Sequence, residues 1–157
     1  MKTKIIKNFI KDKDLFESLI HHFTFEVPHY FGHTSDHEEP DKINKGFYTC
    51  QFNSEAQPYK SIVQKIKKLI SFKVKRMYIN VQHKGMEGEF HVDHDSDKDV
   101  TALLMIRGDG PFEIKDENKY FLEPNTLVLF QANKLHRGHA PINHSPRITL
   151  AIKCEIL

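Results

Sequence analysis

Near Lys73 the spacing of apolar residues changes, and that change restricts the chain to an architecture of leading helices followed by a sheet-forming remainder. Leu15, Phe16, Leu19, Ile20 and Phe23 recur at helical intervals, with Asp12 or Asp14 available as an N-terminal cap. A second helical pattern runs through Tyr59, Ile62, Val63, Ile66, Leu69 and Ile70. Pro58 suits its first turn, and Lys60, Lys65, Lys67 and Lys68 form a solvated face. From Lys73 the pattern becomes short β-type runs: Val74–Val81, Phe90–Val92, Val100–Ile106, Phe112–Ile114, Tyr120–Leu122, Thr126–Phe130 and Arg147–Ile156. Turn-forming residues at Gly108–Pro111, Asp116–Asn118 and Glu123–Asn125 separate several of them. The expectation is an α+β, mainly β fold, a jelly-roll or barrel packed against the N-terminal helices.

The 157 residues carry no repeat and no flexible linker, so one domain over 1–157 is expected. With 23 Lys and Arg against 21 Asp and Glu, the chain has no strong single-sign field. That balance argues against nucleic acid or an anionic membrane as a partner. No apolar run approaches the roughly 18 residues of a membrane span. Two cysteines, Cys50 and Cys154, in apolar or aromatic surroundings, without a charged-then-apolar leader, suggest a reduced, cytoplasmic location, which for a viral source includes a host cytoplasm. The stretch from Thr24 to Asn53 mixes aromatics with His29, His33, His37, Asp36, Glu38 and Glu39 and keeps no period. It reads as loops plus a strand near a cleft.

The chemistry concentrates in "GEFHVDHD", residues Gly88 to Asp95. On a strand, His91 and Asp93 point to one face and can offer an imidazole nitrogen and a carboxylate oxygen to one ion, while Val92 turns toward the opposite packing layer. His94 has the other parity and Asp95 lies toward the strand end, so both are expected outside the ligand set. The third ligand must come from elsewhere. His136, after the Thr126–Phe130 run and a short turn, is favoured over His139 and His144 in the same region. Two histidines and one carboxylate leave positions open on an octahedral iron, unlike a closed structural zinc site. Downstream, Arg147 opens the last β-run. Its forked guanidinium can grip a carboxylate, with the Thr149 hydroxyl on the same face, although a structural ion pair would also satisfy it.

This ordered set, "MYINVQHKGMEGEFHVDHD" followed by "TLVLFQANKLHRGHAPINHSPRITLAIK", resembles the iron(II)- and 2-oxoglutarate-dependent oxygenase superfamily, particularly its small prolyl-hydroxylase-like members. The resemblance covers roughly Arg76 to Ile152. It implies a double-stranded β-helix (jelly-roll) core over about residues 73–156. Its iron ligands would be His91, Asp93 and His136, and Arg147 would pair with the distal carboxylate of 2-oxoglutarate. Tyr78 and Asn80 would add polar contacts to that cosubstrate, beside the Thr149 hydroxyl that strand parity places with Arg147. Gly85, before the His-x-Asp stretch, and the spacing from His136 to Pro141 also look like the family's. Gln82, Pro146 and the short chain depart from its usual pattern.

The activity so implied is a dioxygenase that hydroxylates a C–H bond while converting 2-oxoglutarate to succinate. Fe(II) and molecular oxygen would be required, and ascorbate is a candidate auxiliary. The acceptor would be a protein or peptide, such as a prolyl residue, or a small molecule. Oxidative nucleic-acid demethylation is the alternative within the superfamily, but Lys153 stands where those enzymes commonly carry a second arginine. A non-catalytic, cupin-like metal or small-molecule binding module is the alternative outside it. Cupins more typically show His-x-His and a following glutamate, which this chain lacks at residues 91–93.

Overall fold

Arg147–Ile156 is the strand around which the molecule is built. It is named β10, after β1 (Lys4–Ile6), β2 (Tyr30–His33), β3 (Phe47–Gln51), β4 (Phe72–Gln82), β5 (Asp99–Arg107), β6 (Pro111–Ile114), β7 (Asn118–Phe121), β8 (Leu127–Gln131) and β9 (His136–Gly138). The computed structural model describes residues 1–33, 47–143 and 146–157. Seven strands form an antiparallel sheet in the order β1-β8-β5-β10-β4-β3-β2, and three form a second sheet in the order β7-β6-β9.

Side chains alternate across the large sheet as strand geometry requires. The even-numbered Ile148, Leu150, Ile152 and Cys154 of β10 join Ala102, Leu104 and Ile106 of β5 and Met77, Ile79 and Val81 of β4 on one face. Two helices cover that face. Helix α1 (Lys13–His21) contributes Phe16 and Leu19; α2 (Tyr59–Lys67) contributes Ile62, Val63 and Ile66. On the opposite face, Leu103, Met105, Val128, Phe130 and Ala151 pack against Phe112 and Ile114 of the small sheet. The odd-numbered side of β10 therefore looks into the space between the sheets, and this is where its polar residues lie. Leu104 is fully buried at the centre of the helix-covered face. Leu104→Ala should lower stability by about 3 kcal/mol through lost transfer energy and a residual cavity. Urea unfolding would show it as a lower midpoint at constant slope.

Several elements depart from the expectations. Asp12 is the cap of α1, accepting from the Leu15 amide at 3.0 Å. The α-helix ends at His21, and a π-helical turn over His22–Glu26 continues it, closed by the Val27 amide on the His22 carbonyl at 3.2 Å. This wider turn keeps Phe23 fully buried. Helix α2 stops at Lys67, because a tight turn from Leu69 to the Ile66 carbonyl leads the chain into β4. Strands β1 and β9 fall outside every expected run. The expected strand Phe90–Val92 is reduced to one bridge at His91. Val92 turns to solvent rather than into a packing layer, being 40% exposed. No described helix is long and apolar enough to cross a membrane.

Candidate metal and cosubstrate site

The segment around His91 is held beside β9 by spaced backbone hydrogen bonds rather than a continuous ladder. The Gly88 amide donates to Gly138 (3.1 Å), His91 and His136 exchange bonds (3.0 and 2.9 Å), and the Asp93 amide donates to Ala132 (2.8 Å). This pairing brings His91, Asp93 and His136 together, with one candidate ligand atom from each lying within 4.8 Å of the others. His91 Nε2 lies 3.5 Å from Asp93 Oδ1, and His136 Nε2 lies 3.5 Å from Asp93 Oδ2.

The second ring nitrogens explain which face each imidazole presents. His91 Nδ1 lies 3.0 Å from the Glu89 carbonyl, and His136 Nδ1 lies 2.8 Å from the Lys134 carbonyl. A carbonyl can only accept, so each Nδ1 carries the proton and each Nε2 turns its lone pair toward Asp93. Burial pushes the His136 pKa down to about 4, keeping the ring neutral near pH 7. Burial alone would raise the Asp93 carboxyl. The Lys153 charge opposes it, and the group is held below the usual carboxylate range. Two imidazoles with fixed tautomers and one carboxylate suit a divalent ion of the iron type.

Behind this triad, β4 and β10 line the same cleft, which encloses about 520 Å³ of space continuous with solvent. Their register sets Arg147 opposite Gln82, Thr149 opposite Asn80 and Ala151 opposite Tyr78. Tyr78, Asn80, Arg147 and Thr149 all line the cleft with the triad. Arg147 is 1% exposed. Its Nη1 donates to Gln82 Oε1 (3.0 Å) and to the His139 carbonyl (2.9 Å), while its buried Nε has no partner among the described residues. Burial lowers its pKa to about 10, only partly offset by the charges of Glu87 and Asp109. A cation so placed keeps unused donor capacity that an anionic ligand can satisfy. Asn80 Oδ1 is likewise buried without a partner, and a turn of the amide would present Nδ2 as a donor instead.

Two glycines permit this packing. A Cβ on Gly138 would come 2.6 Å from Arg147 Nη1, and one on Gly88 would come 2.5 Å from the Gly138 carbonyl. Gln82 completes the wall, its Nε2 donating to the carbonyls of Met86 (2.9 Å) and Gly138 (3.1 Å).

The other described histidines named above fall outside the triad. His94 turns outward to Asp99 at 2.7 Å. His139 is held between Glu87 and Glu113, and His29 bonds the Phe23 carbonyl at 2.9 Å. His37 and His144, with Asp36, Glu38 and Glu39, lie outside the described residues, as does the side chain of His33. Two polar cleft residues, both bound to Asp93, lie beyond the sequence-based expectation. Thr101 donates to Asp93 Oδ2 at 2.5 Å, and Lys153 forms a close ion pair with the same oxygen. The odd numbering that Lys153 shares with Arg147 and Thr149 was the available signal for it. Thr101 is brought in only by the pairing of β5 with β10.

No family model and no curated protein matches the chain in sequence. Solved structures do match it in fold. A viral collagen prolyl hydroxylase from Paramecium bursaria Chlorella virus-1, in complex with 2-oxoglutarate, aligns with TM-score 0.68 at 15% identity over 100% of this chain and 97% of its own. A Trichoplax adhaerens prolyl hydroxylase, in complex with a hypoxia inducible factor peptide fragment, aligns with TM-score 0.68 at 12% identity over 98% and 83%. HygX from Streptomyces hygroscopicus, with nickel and 2-oxoglutarate bound, aligns with TM-score 0.67 at 9% identity over 98% and 82%. The chain thus has the fold of the prolyl-hydroxylase-like 2-oxoglutarate oxygenases.

Proposed function

We propose that this chain is an iron(II)- and 2-oxoglutarate-dependent dioxygenase that hydroxylates a C–H bond of an acceptor, with residues 1–157 forming one catalytic domain. The observation that carries the reading is the pairing of two features in one cleft. One is a His-Asp-His triad with its Nε2 lone pairs turned inward. The other is a fully buried arginine with an unused Nε. A dianionic 2-oxo acid answers both, since one end can chelate a metal ion and the other can neutralise a guanidinium.

In this reading His91, Asp93 and His136 hold the iron, while Arg147 receives the distal carboxylate. Thr149, Tyr78 and Asn80 orient the cosubstrate from the same wall. Leu103, Phe112 and Phe130 supply the apolar part of the cleft and restrict water around it. When bound, iron(II) with oxygen and 2-oxoglutarate would supply the oxidising chemistry, in which the 2-oxo acid takes up one oxygen atom and loses carbon dioxide to give succinate while the other oxygen atom enters the acceptor C–H bond. A prolyl residue of a protein or peptide is the proposed acceptor. Support comes from the fold shared with prolyl hydroxylases, one of them in complex with a peptide fragment.

Anaerobic titration with Fe(II) and then 2-oxoglutarate should produce a visible metal-to-ligand charge-transfer band, and admission of oxygen should release succinate. A protein that gives neither band nor succinate would sink the oxygenase reading. Mass spectrometry of proline-containing peptides incubated under the same conditions should show gain of one oxygen atom. Modification of nucleosides instead would overturn the peptide assignment alone.

A further inference from the structure

We propose that Lys153 and Thr101 are positioning residues that occupy Asp93 Oδ2, so that Asp93 offers a metal ion Oδ1 alone and leaves a coordination position for the cosubstrate. This rests on the metal reading of the triad and goes beyond it in assigning the two oxygens of Asp93 different tasks.

The two carboxylate oxygens sit in unlike surroundings. Oδ2 forms the close ion pair with Lys153 Nζ and accepts from Thr101 Oγ1 at 2.5 Å. Each oxygen lies 3.5 Å from one imidazole, Oδ1 from His91 Nε2 and Oδ2 from His136 Nε2, but only Oδ2 carries the ammonium and the hydroxyl among the described residues. The two donors to Oδ2 are also tied to each other, with Lys153 Nζ 3.4 Å from Thr101 Oγ1. Cross-strand register makes the arrangement, because Lys153 of β10 stands opposite Thr101 of β5 on one side and Arg76 of β4 on the other. The ammonium lies 5.6 Å from the centre of the Tyr78 ring, which the Arg76 guanidinium also approaches, at 4.6 Å. Only 17% of the Lys153 side chain is exposed, and that of Asp93 only 4%. Three strands therefore hold the cation against one oxygen of the proposed ligand.

Charge gives the test a direction. A lysine beside the ligand repels a divalent ion and draws electron density from the carboxylate, so it weakens metal binding while favouring an anionic cosubstrate. A residue that merely propped up the site would strengthen both. Cobalt(II) added alone to the full-length protein reports metal affinity and geometry through its visible bands, and 2-oxoglutarate is then titrated into the cobalt-loaded form.

Lys153→Met, which keeps the volume, should bind Co(II) about 10-fold more tightly, with altered band intensities, and the loaded form should bind 2-oxoglutarate about 10-fold more weakly. Lys153→Arg should restore both constants. Thr101→Val, which leaves the charge in place, should shift both in the same directions by about 3-fold. Parallel losses of both affinities in Lys153→Met, or no change in either, would overturn the inference. Wild-type protein that takes up no Co(II) would overturn the metal reading and this inference with it. Wild type that binds Co(II) and a Lys153→Met variant that behaves identically would overturn the positioning role alone.

Discussion

Asp93→Ala is expected to cut iron(II)-dependent succinate formation by on the order of 10³-fold or more, the largest effect of any single change in the chain. Loss of a residue that merely orients a metal ligand typically costs about 10–100-fold, and here a proposed ligand itself is removed. The two imidazoles would remain, each still fixed by its backbone carbonyl. A pair of neutral donors lacks the charge that holds a hard divalent ion. The Asp93 amide bond to Ala132 does not depend on the side chain, so the segment should keep its place. Iron titration under anaerobic conditions separates the outcomes. Binding within a few-fold of wild type would remove Asp93 from the ligand set and with it the proposed chemistry.

Arg147→Met is the second, and its signature is selective. The 2-oxoglutarate Kd of the metal-loaded protein should rise by about 100-fold or more, because a buried charged donor is worth several kcal/mol to the anion it binds. Metal affinity should change by less than about 3-fold, since the Arg147 hydrogen bonds go to Gln82 and the His139 carbonyl rather than to the triad. The same change should show in melting. At a cosubstrate concentration near 100 Kd, binding stabilises the wild-type fold by about 2.7 kcal/mol, and a 100-fold weaker Kd leaves about 0.4 kcal/mol. The ligand-free variant should melt close to wild type, because the guanidinium is buried with no ion pair among the described residues and its loss relieves a desolvation cost. Equal loss of metal and cosubstrate binding would assign Arg147 a purely structural role.

Which parts of this site could be read from the chain alone follows from how far each signal reaches. The expected residues His91, Asp93, His136, Arg147, Thr149, Tyr78 and Asn80 all line one cleft, because parity along a strand is a local property. Thr101 escaped notice because its part depends on which strand lies next to β10, and cross-strand register is absent from local spacing. Strand β9 escaped because three residues cannot show a period. The Phe90–Val92 run promised a strand, but its partners are spaced unevenly along residues 132–138, so the same-face placement of His91 and Asp93 survives without a ladder. Helix α1 was placed from its apolar stripe, whereas the π-helical turn beyond it is decided by packing of Phe23 under Tyr59 and Phe52.

The two-sided use of β10 carries a consequence for how activity can be lost. Its even positions are anchored among the helix-covered hydrocarbon side chains, and its odd positions carry the guanidinium, the hydroxyl and the ammonium of the cleft. Sliding this strand by one residue would drive three polar groups into oil and turn isoleucine and leucine toward the triad. No near-native misalignment can then retain partial turnover. For this molecule a catalytic assay doubles as an alignment gauge, and a preparation of intermediate specific activity should be a mixture of fully competent and inert molecules.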